Sequence, residues 1–297
     1  MRASLLCLLM LLALPVAADD RRTLGIGRLF SNDHIGDGHD RWRTGAYALS
    51  VLRGPTWDGR PPPDAGALLE YRLRAEIIAP GAVSPVDRPY VGMLAFGVAS
   101  HQALGAANLA LGVEIAVIGP QTRLDDFQTW FHDRTSLPAP RGLDSQLPDS
   151  VHPGVFAELA RPWHITPALT LRPFAEARVG VEDLVRIGAD VILGRIDHGD
   201  LWLRDVPTGQ LYRGIAAPQA GLALVAGADV TWLNESAYLP ADRGFSALQR
   251  RQRARIGLHW QAAPNLSLFY GATWLSPEFD GQTEGQVLGS LTLNVHF

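Results

Sequence analysis

Residues 31–45 read SNDHIGDGHDRWRTG and lie between two strand-like stretches, TLGIGRL and AYALSVL. The segment carries Asn32, Asp33, His34, Asp37, His39, Asp40 and Thr44, with glycines at 36, 38 and 45. So dense a run of oxygen and imidazole donors could hold a metal ion or move protons. The plainer alternative is a turn, because Asp, Asn and Gly bond their own backbone or tolerate positive φ in exposed loops. The spacing is not that of an EF-hand, which needs oxygens at positions 1, 3, 5 and 12 with glycine at 6.

A second group lies far along the chain, in GPQTRLDDFQTWFHDRTSLPAPRGLDSQL. Pro120 breaks the β pattern there, and Leu124, Phe127, Trp130 and Phe131 recur at helical spacing, which predicts a short amphipathic helix over 121–135. Its other stripe includes Asp125, Gln128 and His132, the last two sharing a face at i, i+4. Imidazole titrates near about 6.5, so His132 is a candidate general base. A single histidine on a loop helix is otherwise an ordinary surface residue.

The elements that must position these groups are strands. Twelve segments alternate, or nearly so, between polar and apolar residues: 23–30, 42–53, 67–78, 90–100, 107–118, 154–164, 168–180, 184–194, 219–232, 252–262, 266–275 and 286–297. Segment 252–262 sets Ala254, Ile256, Leu258 and Trp260 against Arg253, Arg255, His259 and Gln261. A soluble sandwich could also alternate. Charges at strand centres, aromatics near strand ends (Trp42, Tyr90, Trp163, Trp232, Trp260, Trp274) and a last strand closing on Phe297 favour a membrane barrel with a polar interior.

The fold class expected is therefore all-β: a transmembrane outer-membrane β-barrel of about 12 antiparallel strands, as one domain over 19–297, with a short helix in a long extracellular loop. Counting turns back from Phe297 puts 263–265 and 165–167 on the periplasmic side. Segments 31–41, 79–89, 119–153 and 233–251 then face outward. Connections 54–66 and 195–218 are too long for periplasmic turns, which points to a misplaced strand near them.

The chain's start fits export. Residues 1–18 combine Arg2, an apolar run and small residues at 16–18, the pattern of a cleaved secretory leader. Cys7, the one cysteine, lies within it, so the mature chain offers no thiol for disulfides, metal or catalysis. Of 26 basic residues, all arginine, the leader removes only Arg2, leaving 25 against 30 carboxylates. A charge of −5 argues against a nucleic-acid partner, and with no lysine any anion site must use guanidinium groups. No later apolar run reaches the roughly 18 residues of a membrane helix.

Taken in order, NDHIGDGHDRWRTG, DRPYVG at 87–92, the GPQ loop helix with Gln128 and His132, GLDSQL and the closing LGSLTLNVHF resemble the outer-membrane lipid A 3'-O-deacylases of the LpxR type. That resemblance spans nearly the whole mature chain. It implies a rim site between the barrel wall and the loop helix, where a calcium ion (Ca2+) and a histidine hydrolyse the ester of the 3'-linked acyloxyacyl group of lipid A. The partner implied is lipopolysaccharide in the outer leaflet, and a monomer is expected.

Carried over, Asn32 and Asp33 match the family's Asn-Asp pair at the ion, Thr44 its threonine, and His132 its base. Gln128 and Gln146 match flanking glutamines without assigned roles. Asp33 and Asn32 would offer oxygens to calcium, and Gly36 and Gly38 let the backbone turn in to add more. Where the family has a tyrosine before the threonine this chain has Arg43, and Leu143 stands where an aromatic is usual. Any lysine of the family would have to be replaced by Arg41, Arg43, Arg72, Arg88 or Arg134. Asp37, His39 and Asp40 read as solvated loop residues, Asp40 bracing Arg41 or Arg43, and Tyr90 as part of an interfacial belt.

Two rivals follow from the same residues. A barrel of this fold could be a non-catalytic pore or structural protein. A serine-centred lipase barrel is the other, but the chain has no Gly-x-Ser-x-Gly.

Overall fold

The computed structural model describes residues 21–81, 87–194, 196 and 199–295, so the expected leader lies outside the described residues. The chain forms β1 (Arg22–Asn32), β2 (Trp42–Gly54), β3 (Leu68–Ala79), β4 (Val91–Leu104), β5 (Ala107–Ile118), the rim helix (Leu124–Thr135), β6 (Ser150–Ala160) and β7 (Trp163–Thr166). It continues through β8 (Leu169–Val179), β9 (Glu182–Gly194), β10 (Leu201–Arg204), β11 (Leu211–Ile215), β12 (Gly221–Ser236), β13 (Arg250–Ala263), β14 (Leu266–Leu275) and β15 (Gln286–Val295).

Neighbouring strands pair antiparallel from β6 back to β1, then through β15, β14, β13, β12, β9 and β8, and β8 pairs with β6 to close the ring. The result is the twelve-stranded barrel expected, with β7 a short extra strand on β8.

The polarity of the wall is inverted relative to a water-soluble core. On β13, Arg251, Arg253, Arg255, His259 and Gln261 are buried while Ile256, Leu258 and Trp260 are about half exposed. Such a surface is stable only against lipid. Inside, the charges neutralise one another: Arg253 Nε donates to Asp229 at 2.9 Å, Arg186 Nη1 to Glu176 at 2.6 Å and Arg72 Nε to Glu70 at 2.6 Å. Trp163, Trp232, Trp260 and Trp274 lie on the outer surface.

The two over-long connections have a physical explanation, and no strand beside them is misplaced. Residues 195–218 contain the two-stranded hairpin β10–β11, which is folded up into the barrel. Leu201, Leu203, Tyr212 and Ile215 pack there with Leu29, Leu52, Leu68 and Phe269 of the wall. Arg204 Nη2 donates to Asp190 at 2.8 Å, Gln210 Nε2 to the Ala272 carbonyl at 3.1 Å, and Arg253 Nη1 to the Val206 carbonyl at 2.6 Å. Gly25 on β1 lies against the Gly214 backbone, where a Cβ would collide with it, so this closest approach of the hairpin to the wall requires glycine. Connection 54–66 lies beneath, with Trp57 Nε1 donating to the Gly199 carbonyl at 2.6 Å.

Candidate functional site at the barrel rim

Three pieces of chain converge at one point of the rim. The first is the end of β1, where Leu29, Ser31 and Asp33 share the inward parity and Asp33 is fully buried. The second is the start of β2, where pairing with β3 passes from Arg43↔Ile78 to Gly45↔Ile77. That bulge leaves Thr44 as the extra residue, so Arg43 and Thr44 are both buried although adjacent. Arg43 turns into the lumen towards Glu76 and Glu278 at 2.9 and 2.7 Å. Thr44 Oγ1 instead lies 3.2 Å from Asp33 Oδ1 and 2.5 Å from Asp40 Oδ1.

The third piece is the rim helix. It begins after Arg123 and ends at Ser136, both in the left-handed conformation, and the chain then folds back beneath its own last turn. His132 Nδ1 consequently meets the Pro138 carbonyl oxygen at 2.5 Å. A carbonyl can only accept, so Nδ1 carries a proton, and in the neutral ring the lone pair is then on Nε2. That Nε2 faces Asp40 Oδ2 at 3.8 Å. Gln128, one turn earlier, is buried between Tyr90, whose hydroxyl donates to its Oε1 at 2.9 Å, and Asp40, whose Oδ1 lies 3.5 Å from its Nε2.

The structure thus brings Asp33, Thr44, Gln128 and His132 together. Asn32 sits beside them, but its amide is engaged by the loop: Nδ2 donates to the Thr44 carbonyl at 2.5 Å and Oδ1 accepts the His34 N–H at 2.8 Å. Gln146 forms no side-chain hydrogen bond to this group among the described residues, and its Nε2 is buried without a partner.

Two members escaped sequence reasoning. Asp40 is not a solvated brace for arginine, because its carboxylate links Thr44, Gln128 and His132. Tyr90 is not a belt residue, because it is fully buried and its hydroxyl bonds Gln128 of the helix; Trp42 too is buried, beside Leu239 and Phe279. The signal for Asp40 was its place four residues before Thr44 on the same loop, and the signal for Tyr90 was the motif DRPYVG itself.

Of the five arginines considered as lysine replacements, Arg43 and Arg88 pair with Glu278, Arg72 with Glu70 and Arg41 with Glu284. Arg134 is exposed. Among the described residues no guanidinium group pairs with Asp33. Burial pushes the Asp33 carboxyl up to about 8, with Asp40 and Asp37 adding to the effect against the Arg41 N–H and the Thr44 hydroxyl.

That unpaired buried carboxylate is the test of whether a cation fits. One hydroxyl proton on Thr44 cannot be donated to both Asp33 and Asp40 at once, and once Asp33 ionises no guanidinium group among the described residues balances it. No cluster of three or more His, Asp or Glu side chains is set up for a metal among the described residues. The available donors are two carboxylates, the Asn32 amide oxygen, the Thr44 hydroxyl and backbone carbonyls. An all-oxygen set of this kind suits a hard cation such as calcium and not a zinc-type ion.

Comparison with known proteins agrees with this architecture. The solved structure "LpxR from Salmonella typhimurium" superposes with a TM-score of 0.74 at 15% identity, over 92% of this chain and 100% of that one. The β-domain of the Bordetella autotransporter BrkA reaches a TM-score of 0.44 at 11% identity, covering 93% of this chain and 100% of its own. A Pseudomonas putida F1 outer-membrane channel reaches 0.43 at 13% identity, covering 94% of this chain and 98% of that one. Among curated proteins none matches. The sequence profile described as "Outer membrane protein LpxR" matches residues 5–297. The chain is an outer-membrane protein and belongs to the LpxR family.

Proposed function

We propose that this protein hydrolyses the ester that holds the 3'-linked acyloxyacyl group on lipid A, at the outer leaflet of the outer membrane. The observation that carries the reading is His132: its Nδ1–H is tied to the Pro138 carbonyl, which leaves Nε2 of the neutral ring free to act as a base, facing the partly exposed Asp40 beside the buried Asp33 at the rim. A base aimed in this way, on a helix beside a membrane-embedded wall, is what hydrolysis of a lipid ester requires.

In this reading Nε2 of His132 removes a proton from water as the water oxygen adds to the ester carbonyl. Asp40, at 3.8 Å, steadies the imidazolium that forms. The imidazolium then returns the proton to the sugar oxygen as the carbon–oxygen bond breaks, leaving a free carboxylic acid and a sugar hydroxyl. Asp33, Asp40 and Asn32 would hold a calcium ion, which supplies Lewis-acid polarisation of the carbonyl when bound. Thr44 fixes the spacing of the carboxylates, and Tyr90 with Gln128 holds the helix at its height.

The test is the mass of lipid A after incubation with purified protein, with calcium and then with a chelator. Wild type should remove one acyloxyacyl unit, and His132→Ala should be slower by several orders of magnitude. Unchanged lipid A with calcium present, or an undiminished His132→Ala rate, would overturn the proposal. The rival reading as a pore is opposed by the β10–β11 hairpin, which occupies the lumen and is tied to the wall on several sides.

A further inference from the structure

The rim helix is amphipathic in the wrong sense for a loop in water. Its buried residues are the polar Gln128 and His132, while Phe127, Trp130 and Phe131 are 52%, 54% and 44% exposed. The three rings form one patch, Phe127 lying 6.0 Å from Trp130 and 6.4 Å from Phe131 between centroids. Aromatic area clustered on one helix face and left open marks a surface meant for an apolar partner.

The fold says which partner. On β4, Met93 and Ala95 point inward while Phe96 is 52% exposed, so even-numbered residues face the lipid side. Gly92 has that lipid-side parity, and Thr122 and Leu124 press onto it, within the space that a Cβ there would need. The helix therefore starts on the outer wall of the barrel, not above its lumen. Ile115 on β5 and Val151 on β6, the strands that enter and leave this loop, are both exposed on the same wall. The aromatic patch is thus continuous with the established lipid-facing band. Arg134, one turn beyond Trp130, is exposed, and a long cationic side chain beside apolar rings can reach from an acyl layer to headgroup level.

We propose that the Phe127, Trp130 and Phe131 face of the rim helix is immersed in the acyl-chain layer of the outer leaflet, so that lipid acyl chains are its partner. Immersion fixes the height of the helix, and with it the height of His132 Nε2 on the opposite face, relative to the ester level of surrounding lipid. This is an interfacial helix in the physical sense, seated by apolar area and flanking charge, and the immersion itself stands independently of whether His132 is a base.

The test uses single-cysteine forms of the mature barrel, W130C and D133C, each carrying an environment-sensitive nitrobenzoxadiazole dye. Each is reconstituted into phosphatidylcholine vesicles with a nitroxide at acyl carbon 5. A heat-modifiable gel shift verifies that each variant has folded. The label at 130 should be quenched strongly by the nitroxide and be several-fold less accessible to aqueous iodide than the label at 133. Equal iodide access at both positions would overturn the proposal. So would shielding from iodide without nitroxide quenching, which would mean that a second copy of the chain covers the face.

Discussion

Asp33 provides the sharpest physical prediction, through the pH dependence of its own loop. Its carboxyl is fully covered and pushed up from 3.8 to about 8. Between these values the closed loop keeps a proton that the opened loop releases, so closure is favoured at low pH and weakened as pH rises. Each pH unit in this window costs about 1.4 kcal/mol, so from pH 5 to pH 8 the loop should lose on the order of 4 kcal/mol of opening free energy in the presence of a chelator. The loss levels off above about 8, where both forms are ionised. The assay is amide hydrogen exchange in lipid nanodiscs, corrected for intrinsic rate, read at Arg41, whose N–H donates to Asp33 Oδ2 at 2.6 Å, and at Gly36 and Gly38, bonded to the Asp33 carbonyl at 2.8 and 3.1 Å. Asp33→Asn, neutral throughout, should abolish the slope, and saturating calcium should flatten it in wild type by compensating the ionised carboxylate. A flat profile in chelator, or an unchanged slope in Asp33→Asn, would refute the assignment of a strained buried carboxylate; an unchanged slope with calcium would remove Asp33 from the ion.

Thr44→Val should leave two neighbouring carboxylates without their shared donor, at a cost of about 1–3 kcal/mol in the same exchange experiment, whereas Thr44→Ser should behave like wild type. Tyr90→Phe removes the hydroxyl that holds Gln128; activity should fall several-fold while a heat-modifiable gel shift still reports a folded barrel, and an unchanged rate would exclude Tyr90 as a positioning residue. Arg204→Ala strips one guanidinium from the buried Asp190 and the partly buried Glu158, for which urea unfolding should show a loss on the order of 3 kcal/mol. In planar bilayers the wild-type barrel should be electrically silent, and steady ohmic channels would contradict a lumen filled by the β10–β11 hairpin.

The wall of the barrel was legible because its information is local. Alternation over a segment such as 252–262 assigns Arg253 and Arg255 to one face and Ile256 and Leu258 to the other without reference to any other strand, and the register of β13 with β12 and β14 agrees with that assignment. The hairpin inside the lumen was not legible for the same reason. Its strands, LWLR and LYRGI, are too short to show a period, and both faces are buried. Only the excess length of 195–218 hinted at it, and the hint was open to a different explanation.

The site divides along a similar line. Asp33 and Thr44 could be placed by parity from β1 and β2, but Asp40 belongs to no strand, and its role depends on a bulge at Thr44 that no pattern of residue types announces. The rim helix shows the limit most clearly. Sequence spacing groups Phe127, Trp130 and Phe131 on one face and Gln128 with His132 on another, yet it cannot say which face is inside. The usual rule, apolar residues inward, would turn the helix over, bury the aromatics and put His132 in water. What reverses it is the surroundings: a charged barrel rim on one side, where Asp40 and Tyr90 offer partners to Gln128 and His132, and a lipid-facing wall on the other. The orientation of the proposed base is therefore a property of the helix in its membrane, and an assay in which the outer leaflet is replaced by water would be expected to lose the height of His132 before it loses any of the residues around it.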